Sequence, residues 1–257
     1  METVIVERAN GIVTLTLNRP EKKNAANDTM WYELLEVFDE VAHTPADRVL
    51  VVTGAGGAFC SGADLSSISG DTRHRLEVMR HPVGSAALAL HRLAKPTIAK
   101  VTGVAAGAGC NLALGCDLIV ASDEARFSEI FARRGLSLDF GGSWLLPRLV
   151  GLHKAKELAF FAEVISAREA LDLGIVNRVV PAGEIDAFVL DWATRLAAGP
   201  PLALSMTKAL LNQSFSATMD EALEHESRCQ TVNFGTADTL EALQAFAQKR
   251  APEFHGR

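Results

Sequence analysis

The order of predicted strands and helices constrains this chain most, because strands and helices alternate as far as Val180 and only helices follow. Asn10-Gly11 is a two-residue turn sequence between β-rich segments, so the chain is expected to open with a β-hairpin. Alternating strands and helices are typical of a parallel sheet flanked by helices. Beyond Val180, helical periodicity covers residues 185–197, 202–212, 219–232 and 239–250. The sequence therefore predicts an α/β core followed by a helical region.

Length and charge exclude several classes of protein. A chain of 257 residues, 48% of them hydrophobic, buries a large core without disulfides. Its net charge of -6 leaves no broad basic surface, so nucleic acid is not expected as the main partner. The 4 cysteines stand singly, without the CxxC spacing of zinc sites or redox pairs. With no signal-peptide pattern and no apolar stretch of spanning length, we expect a cytoplasmic protein without a membrane segment.

Periodicity and helix breakers predict the elements of the core. Asp28 is expected to cap the first helix. Residues 54–70 form a long loop of small residues, which makes it a candidate functional loop, and Pro82 should interrupt the helix expected over residues 73–93. The other predicted elements are strands over residues 48–53, 97–101 and 117–121 and helices over residues 106–114 and 142–150.

Two segments of small residues, Phe59–Leu65 and Gly103–Cys110, could offer backbone amides to a ligand. Two N–H donors that converge on one oxygen form an oxyanion hole. Tight packing between a helix and a strand explains the same composition, and the residues alone leave both alternatives open. Neither segment completes a GxGxxG nucleotide motif, and Ser61 lacks the GxSxG setting of a serine nucleophile.

Several ordered motifs resemble those of the crotonase superfamily, which is the enoyl-CoA hydratase and isomerase family. They include Asn18-Arg19-Pro20, Ser61-Gly62-Ala63-Asp64, Gly107-Ala108-Gly109-Cys110, Gly141-Gly142, Gly174-Ile175-Val176-Asn177 and Lys249-Arg250, so the likeness covers essentially the whole chain. The resemblance implies a crotonase-like core of repeated ββα units over residues 1–198 and a helical oligomerisation region over residues 199–257. It also implies a homotrimer, or a hexamer built as a dimer of trimers.

The resemblance also implies a site for an acyl-CoA or enoyl-CoA thioester. The backbone amides of Ala63 and Ala108 would form the oxyanion hole. Ala108 stands where the family has a glycine, so its amide can serve only if φ is negative there. No metal ion or redox cofactor is implied, because coenzyme A is part of the substrate. The residues implied to bind CoA are Lys22, Lys23, Ala25, Ser61, Asp64 and Leu65, together with Phe246 and Lys249 from a neighbouring subunit.

The chain departs from the family's hydratases at their two catalytic glutamates. Those positions hold Asn111 and Phe131, and neither side chain can act as a general base. Glu129 is an alternative acid if its segment is strand-like, because it would then share a face with Phe131. Asp139 resembles the position of the catalytic carboxylate in several family isomerases and in a dehalogenase branch. Its alternative role is to cap the helix that begins near Gly142.

One carboxylate beside an oxyanion hole is sufficient to shift a double bond, so the sequence favours an enoyl-CoA isomerase of fatty or aromatic acid metabolism. Hydration of a 2-enoyl-CoA, with Glu129 or Asp139 in place of the missing glutamates, is the first alternative. A non-catalytic acyl-CoA binding protein is the second. The segment Leu65–Val83 is expected to line the acyl pocket, and His74, His81, His91 and His153 are expected to be surface or packing residues.

Overall fold

Two sheets form the core in this computed structural model, which describes residues 1–67 and 72–257. The six-stranded sheet has the spatial order first, second, third, fourth, sixth and ninth strand, and the smaller sheet contains the other three. In chain order the strands are β1 (Val4–Ala9), β2 (Ile12–Leu17), β3 (Val49–Gly54), β4 (Thr97–Val101), β5 (Val104–Ala106), β6 (Leu118–Ser122), β7 (Arg126–Ser128), β8 (Ile165–Ser166) and β9 (Arg178–Val180).

The pairing of the strands confirms the predicted hairpin and the predicted parallel sheet. β1 and β2 are antiparallel, and the turn residues Asn10 and Gly11 have φ values of 54° and 79°, as a tight hairpin of this kind requires. The next four strand pairs in the large sheet, from β2 to β9, are all parallel. A ββα order occurs near the start of the chain and again around β4 and β5, so the crotonase-like α/β fold is confirmed.

Helices cover the sheets and make up the end of the chain. The helix predicted over residues 73–93 is interrupted as expected, because His81 is extended (φ -148°, ψ 121°) before Pro82. The helices are α1 (Asp28–His43), α2 (Thr72–Val78), α3 (Ser85–Arg92), α4 (Ala108–Leu114), α5 (Gly142–Val150), α6 (Leu152–Phe161), α7 (Ala167–Asp172), α8 (Ile185–Ala197), α9 (Pro201–Gln213), α10 (Met219–Phe234) and α11 (Ala237–Gln248).

Two predicted helix starts are wrong by one or two residues. Asn27, not Asp28, caps α1, because its side-chain oxygen accepts a hydrogen bond from the Met30 amide at 3.0 Å. The helix predicted from residue 106 begins at Ala108, because Ala106 belongs to β5 and its amide donates to the Cys60 carbonyl at 2.9 Å. Pairing between distant segments decided the second boundary.

The C-terminal helices differ in how much of their surface they bury against the core. α8 packs on the large sheet, with Ile185, Val189 and Ala193 buried against strand residues. No residue of α9 or α10 is buried. The division of the chain after residue 198 stays a prediction. Within residues 1–67 and 72–257, no helix is both long and apolar enough to span a membrane.

Candidate active site

A cavity of about 320 Å³ lies between the two segments of small residues that the sequence singled out. We call it the amide cavity. Its walls come from the loop that ends β3, the start of α4 and the chain between β7 and α5. Among its described lining residues are Ser61, Ala63, Leu65, Gly107, Ala108, Phe131, Leu136 and Asp139. Asp139 is the one carboxylate in that lining.

The Ala63 amide faces the amide cavity because its neighbours are bonded in the other direction. Ala26 donates to the Gly62 carbonyl and accepts from the Asp64 amide, both at 2.8 Å. In extended chain, alternate residues direct their backbone groups to opposite sides, so the N–H of Ala63 is turned away from Ala26. It donates no hydrogen bond within the described residues, which leaves it available to a ligand.

The Ala108 amide is available for a different reason, because Ala108 is the first residue of α4. The first amides of a helix have no partner within the helix. The preceding residue, Gly107, has φ 55° and ψ -129°, a conformation that only glycine adopts readily. Ala108 itself is helical, with negative φ, so the alanine at this position still presents its N–H.

Asp139 places a half-buried carboxylate in the same cavity. Its Oδ1 atom is buried without a hydrogen-bond partner, and burial raises the pKa of the group to about 6. It is not a helix cap: Gly141 occupies the N-cap of α5, and no side chain bonds there. An acid with a pKa raised toward neutrality in a cavity can exchange protons with a ligand at physiological pH.

The backbone beyond Asp139 is held in an uncommon conformation. Phe140 and Gly141 have φ values of 45° and 82°, and a positive φ is costly for phenylalanine. The Phe140 ring is buried and lies 5.3 Å from the ring of Trp31. Packing of this ring stabilises the turn that presents Asp139.

A larger cavity of about 850 Å³ lies on the other side of Asp139. We call it the apolar cavity. Its lining comes from the segment that contains Met79 and Val83, from α3, α5 and α9, and Asp139 is the one described residue that lines both cavities. The ring of His91 lies 5.0 Å from that of Trp144, edge to face, in its wall. The predicted acyl-pocket segment contributes Met79 and Val83, whereas its residues 68–71 lie outside the described residues.

Sequence reasoning missed the part that α9 plays in this cavity. Its contributing residues recur at helical spacing, which was the available signal: Ser205, Lys208, Ala209, Asn212 and Gln213. Lys208 connects α9 to the core by donating to Asp117 Oδ2 at 2.7 Å and to the Lys95 carbonyl at 3.2 Å. His91, expected to be a surface or packing residue, also lines the cavity, and burial lowers its pKa.

The two positions of the family glutamates and the alternative acid lie in different surroundings. Asn111 is fully buried, and Phe131 lines the amide cavity. Glu129 lines neither cavity and instead faces a pocket of about 10 Å³ beside Cys110 and Leu146. Neither of its carboxylate oxygens makes a hydrogen bond of ordinary geometry, and burial raises its pKa to about 7. Glu129 therefore does not meet a ligand in the amide cavity.

Most of the residues implied to bind CoA lie along one edge of the amide cavity. Ser61 donates its amide to the Lys23 carbonyl at 3.0 Å and its hydroxyl to the Lys22 carbonyl at 3.1 Å. Hydrogen bonds from Ser66 and Arg19 hold the pKa of Asp64 down to about 2. Leu65 lines the cavity, and Ala25 accepts a hydrogen bond from Arg19.

The two residues implied to reach a neighbouring subunit's CoA lie at the end of α11. Phe246 is 86% exposed, and Lys249 has a positive φ of 55° where it ends the helix. The described lining of the amide cavity includes neither residue. A single chain therefore does not bring them to its own site.

Comparisons with known proteins agree with this geometry. Residues 7–257 match the family described as enoyl-CoA hydratase/isomerase. A 1,2-epoxyphenylacetyl-CoA isomerase of Escherichia coli is 36% identical over 100% of both chains. A short-chain-enoyl-CoA hydratase of Clostridium acetobutylicum is 34% identical over 98% of this chain and 97% of its own. The crystal structure of an enoyl-CoA hydratase from Bacillus anthracis superposes with a TM-score of 0.96 at 29% identity, over 100% of both chains.

Proposed function

The chain belongs to the enoyl-CoA hydratase/isomerase family, whose substrates are CoA thioesters, and on this basis we propose that it is an enoyl-CoA isomerase. One observation carries the choice of reaction. Asp139 is the one carboxylate among the described residues that line the amide cavity, and it is unpartnered beside two available backbone amides. Addition of water in the family manner uses two carboxylates across one alkene, whereas a double-bond shift uses one.

The proposed reaction moves one proton between two carbons of a 3-enoyl-CoA. The thioester oxygen accepts hydrogen bonds from the amides of Ala63 and Ala108. The Asp139 carboxylate takes a proton from C2, and the C2–H electrons form a dienolate whose oxygen these amides stabilise. The protonated Asp139 then returns the proton to C4, and the product is the conjugated 2-enoyl-CoA. No cofactor is required beyond the CoA of the substrate.

The two cavities give the thioester a defined orientation in this proposal. CoA lies along Lys22, Lys23, Ala25 and Ser61, with its adenine near Asp64 and Leu65. The acyl group passes Asp139 into the apolar cavity, whose volume of about 850 Å³ suits a medium-chain or aromatic acyl group. The likeness to a 1,2-epoxyphenylacetyl-CoA isomerase supports a ring-bearing substrate.

Hydration is the second candidate because a similar relative is named a short-chain-enoyl-CoA hydratase. In this chain Asp139 would have to activate water without a second acid, since Glu129 lies outside the amide cavity. The Glu129→Gln variant addresses this candidate, because it abolishes hydration only if Glu129 supplies the second acid.

We also propose that the chain forms a homotrimer, or a hexamer of two trimers, through its C-terminal helices. α9 and α10 have no buried residue, although apolar side chains on or beside them are largely exposed: Leu211, Phe215, Met219, Val232 and Phe234. Burial of this surface between copies would bring Phe246 and Lys249 to a neighbour's CoA. Sedimentation equilibrium measures the state, and a monomer at micromolar concentration contradicts the proposal.

An assay in deuterated buffer tests the proposed reaction. The enzyme receives a 3-enoyl-CoA and a 2-enoyl-CoA separately, and absorbance of the conjugated thioester and product mass are followed. The proposal expects conjugation from the 3-enoyl substrate, incorporation of deuterium, and no net addition of water to the 2-enoyl substrate. Water addition without isomerisation favours the hydratase. Silence from both, with acyl-CoA binding retained, favours a binding protein or an acyl group of another kind.

A further inference from the structure

Glu129 is the buried acid that the proposed mechanism does not use. It is 3% exposed, and its side chain lies in the pocket of about 10 Å³ behind α4. Both carboxylate oxygens are buried without a hydrogen-bond partner. A buried carboxylate with neither a cation nor a hydrogen bond is costly, so its surroundings should select the neutral form.

The groups that face Glu129 favour that neutral form. Asp139 raises its pKa by like charge, the thiol of Cys110 and the amide of Asn111 oppose the rise, and burial is the largest cause. The pocket is also lined by Glu163, which is exposed to solvent. No lysine, arginine or histidine is among the described residues that line it. A neutral carboxyl has an O–H to donate, and an acceptor without a donor lies next to it.

That acceptor is Asn111 Oδ1, which is buried without a partner. The other end of the same amide is engaged, because Asn111 Nδ2 donates to the Asp139 carbonyl at 2.9 Å. The amide is also tightly enclosed: a Cβ on Gly142 would lie 2.3 Å from Nδ2 and 2.4 Å from Oδ1. The Asn111 amide therefore links the surroundings of Glu129 to the backbone of Asp139.

We propose that Glu129 and Asn111 are positioning residues, in which a neutral Glu129 donates its O–H to Asn111 Oδ1 and Asn111 Nδ2 holds the turn that presents Asp139. The link satisfies the unpartnered acceptor and gives the carboxyl of Glu129 a partner. It holds a turn whose Phe140 has an unfavourable φ of 45°. The inference rests on the proposed function, since Asp139 is the acid being positioned.

The pH dependence of kcat distinguishes this link from simple packing. Asp139 must be ionised to act as the base, so kcat falls as the pH drops below its pKa of about 6. Glu129 must be neutral to donate, so kcat also falls as the pH rises above its pKa of about 7. The proposal therefore expects a narrow bell-shaped profile, whose two limbs belong to the interacting pair of acids.

Three variants test the link. Glu129→Gln keeps the size and a donor but cannot ionise, so the alkaline limb should disappear while the acid limb stays. Glu129→Met has no donor and should lower kcat by about tenfold or more at every pH, with KM little changed, because it leaves the buried oxygen of Asn111 unpartnered. Glu163→Gln, at the exposed acid of the same pocket, is the matched control and should retain the wild-type profile.

Infrared difference spectra between pH 6 and pH 8 test the protonation state without turnover. The wild-type protein should show the C=O band of a neutral carboxylic acid that Glu129→Gln removes and Asp139→Asn retains. A wild-type alkaline limb in Glu129→Gln, or no band attributable to Glu129 at pH 6, would overturn the inference. The band also separates the two proposals, because it is expected even if the enzyme proves to catalyse another reaction.

Discussion

The amide cavity and the apolar cavity meet at Asp139 but are built from different kinds of atoms. The ligand groups of the amide cavity are backbone N–H groups, oriented by the pairing around Ala63 and by the first turn of α4. The walls of the apolar cavity are side chains from helices that lie far apart in the chain. Backbone geometry survives most side-chain changes, so the chemistry should resist substitution where the acyl preference does not.

The largest expected effect is at the residue that the two cavities share. Asp139→Asn keeps the shape of both cavities but removes the base, so kcat for isomerisation should fall by about a thousandfold. The Kd of a saturated acyl-CoA, measured by calorimetry, should change little. Asp172→Asn, at an exposed acid of α7, is the control. Retention of wild-type kcat in Asp139→Asn would remove Asp139 from the mechanism.

Ala108→Pro deletes a backbone donor of the amide cavity without a polar side chain being involved. Proline is compatible with the first position of a helix, but it has no N–H. Loss of one oxyanion donor should lower kcat by about 10²-fold to 10³-fold. Ala108→Ser keeps the amide and should lose much less, while circular dichroism and melting temperature check that α4 is intact in both. Equal losses in the two variants would show that shape, not the donor, matters at this position.

Trp144→Ala alters the wall of the apolar cavity and leaves the amide cavity intact. Trp144 also lines an adjoining cavity of about 440 Å³, so its removal should join the two spaces. We expect kcat/KM to fall about tenfold for the preferred acyl length and the optimum to move to longer acyl groups. Rates with a series of 3-enoyl-CoA substrates measure the shift, and Trp192→Ala, on α8, is the control. An unchanged length preference would place the acyl group elsewhere.

The smallest effect on catalysis is expected at the ion pair that holds α9. Lys208→Met removes the bond to Asp117, and one charged hydrogen bond of this kind contributes about 1–3 kcal/mol to the free energy of unfolding. Chemical denaturation should show that loss, with KM raised more than kcat is lowered, because α9 lines the apolar cavity. Lys154→Met, which removes an exposed pair with Glu157, is the control. Equal stability of the two variants would contradict a role for Lys208 in docking α9.

Local sequence signals predicted most of the fold and the identity of the central acid. The hairpin at Asn10-Gly11, the break at Pro82 and the alternation of strands and helices depend on neighbouring residues, and all three are confirmed. The resemblance indicated Asp139, but it could not show whether that side chain caps α5 or enters a cavity. The direction of one carboxylate depends on the turn at Phe140, whose ring packs on a residue of α1.

The sequence by itself determined the order of elements, the small-residue segments and the absence of glutamate at positions 111 and 131, because these follow from local periodicity and ordered motifs. Only the tertiary structure separated Glu129 from the amide cavity and placed it behind α4. Only the tertiary structure brought Lys208 to Asp117, 91 residues away in the chain. Contacts between distant segments carry no periodic signal, so the packing of the sheets and helices decided them.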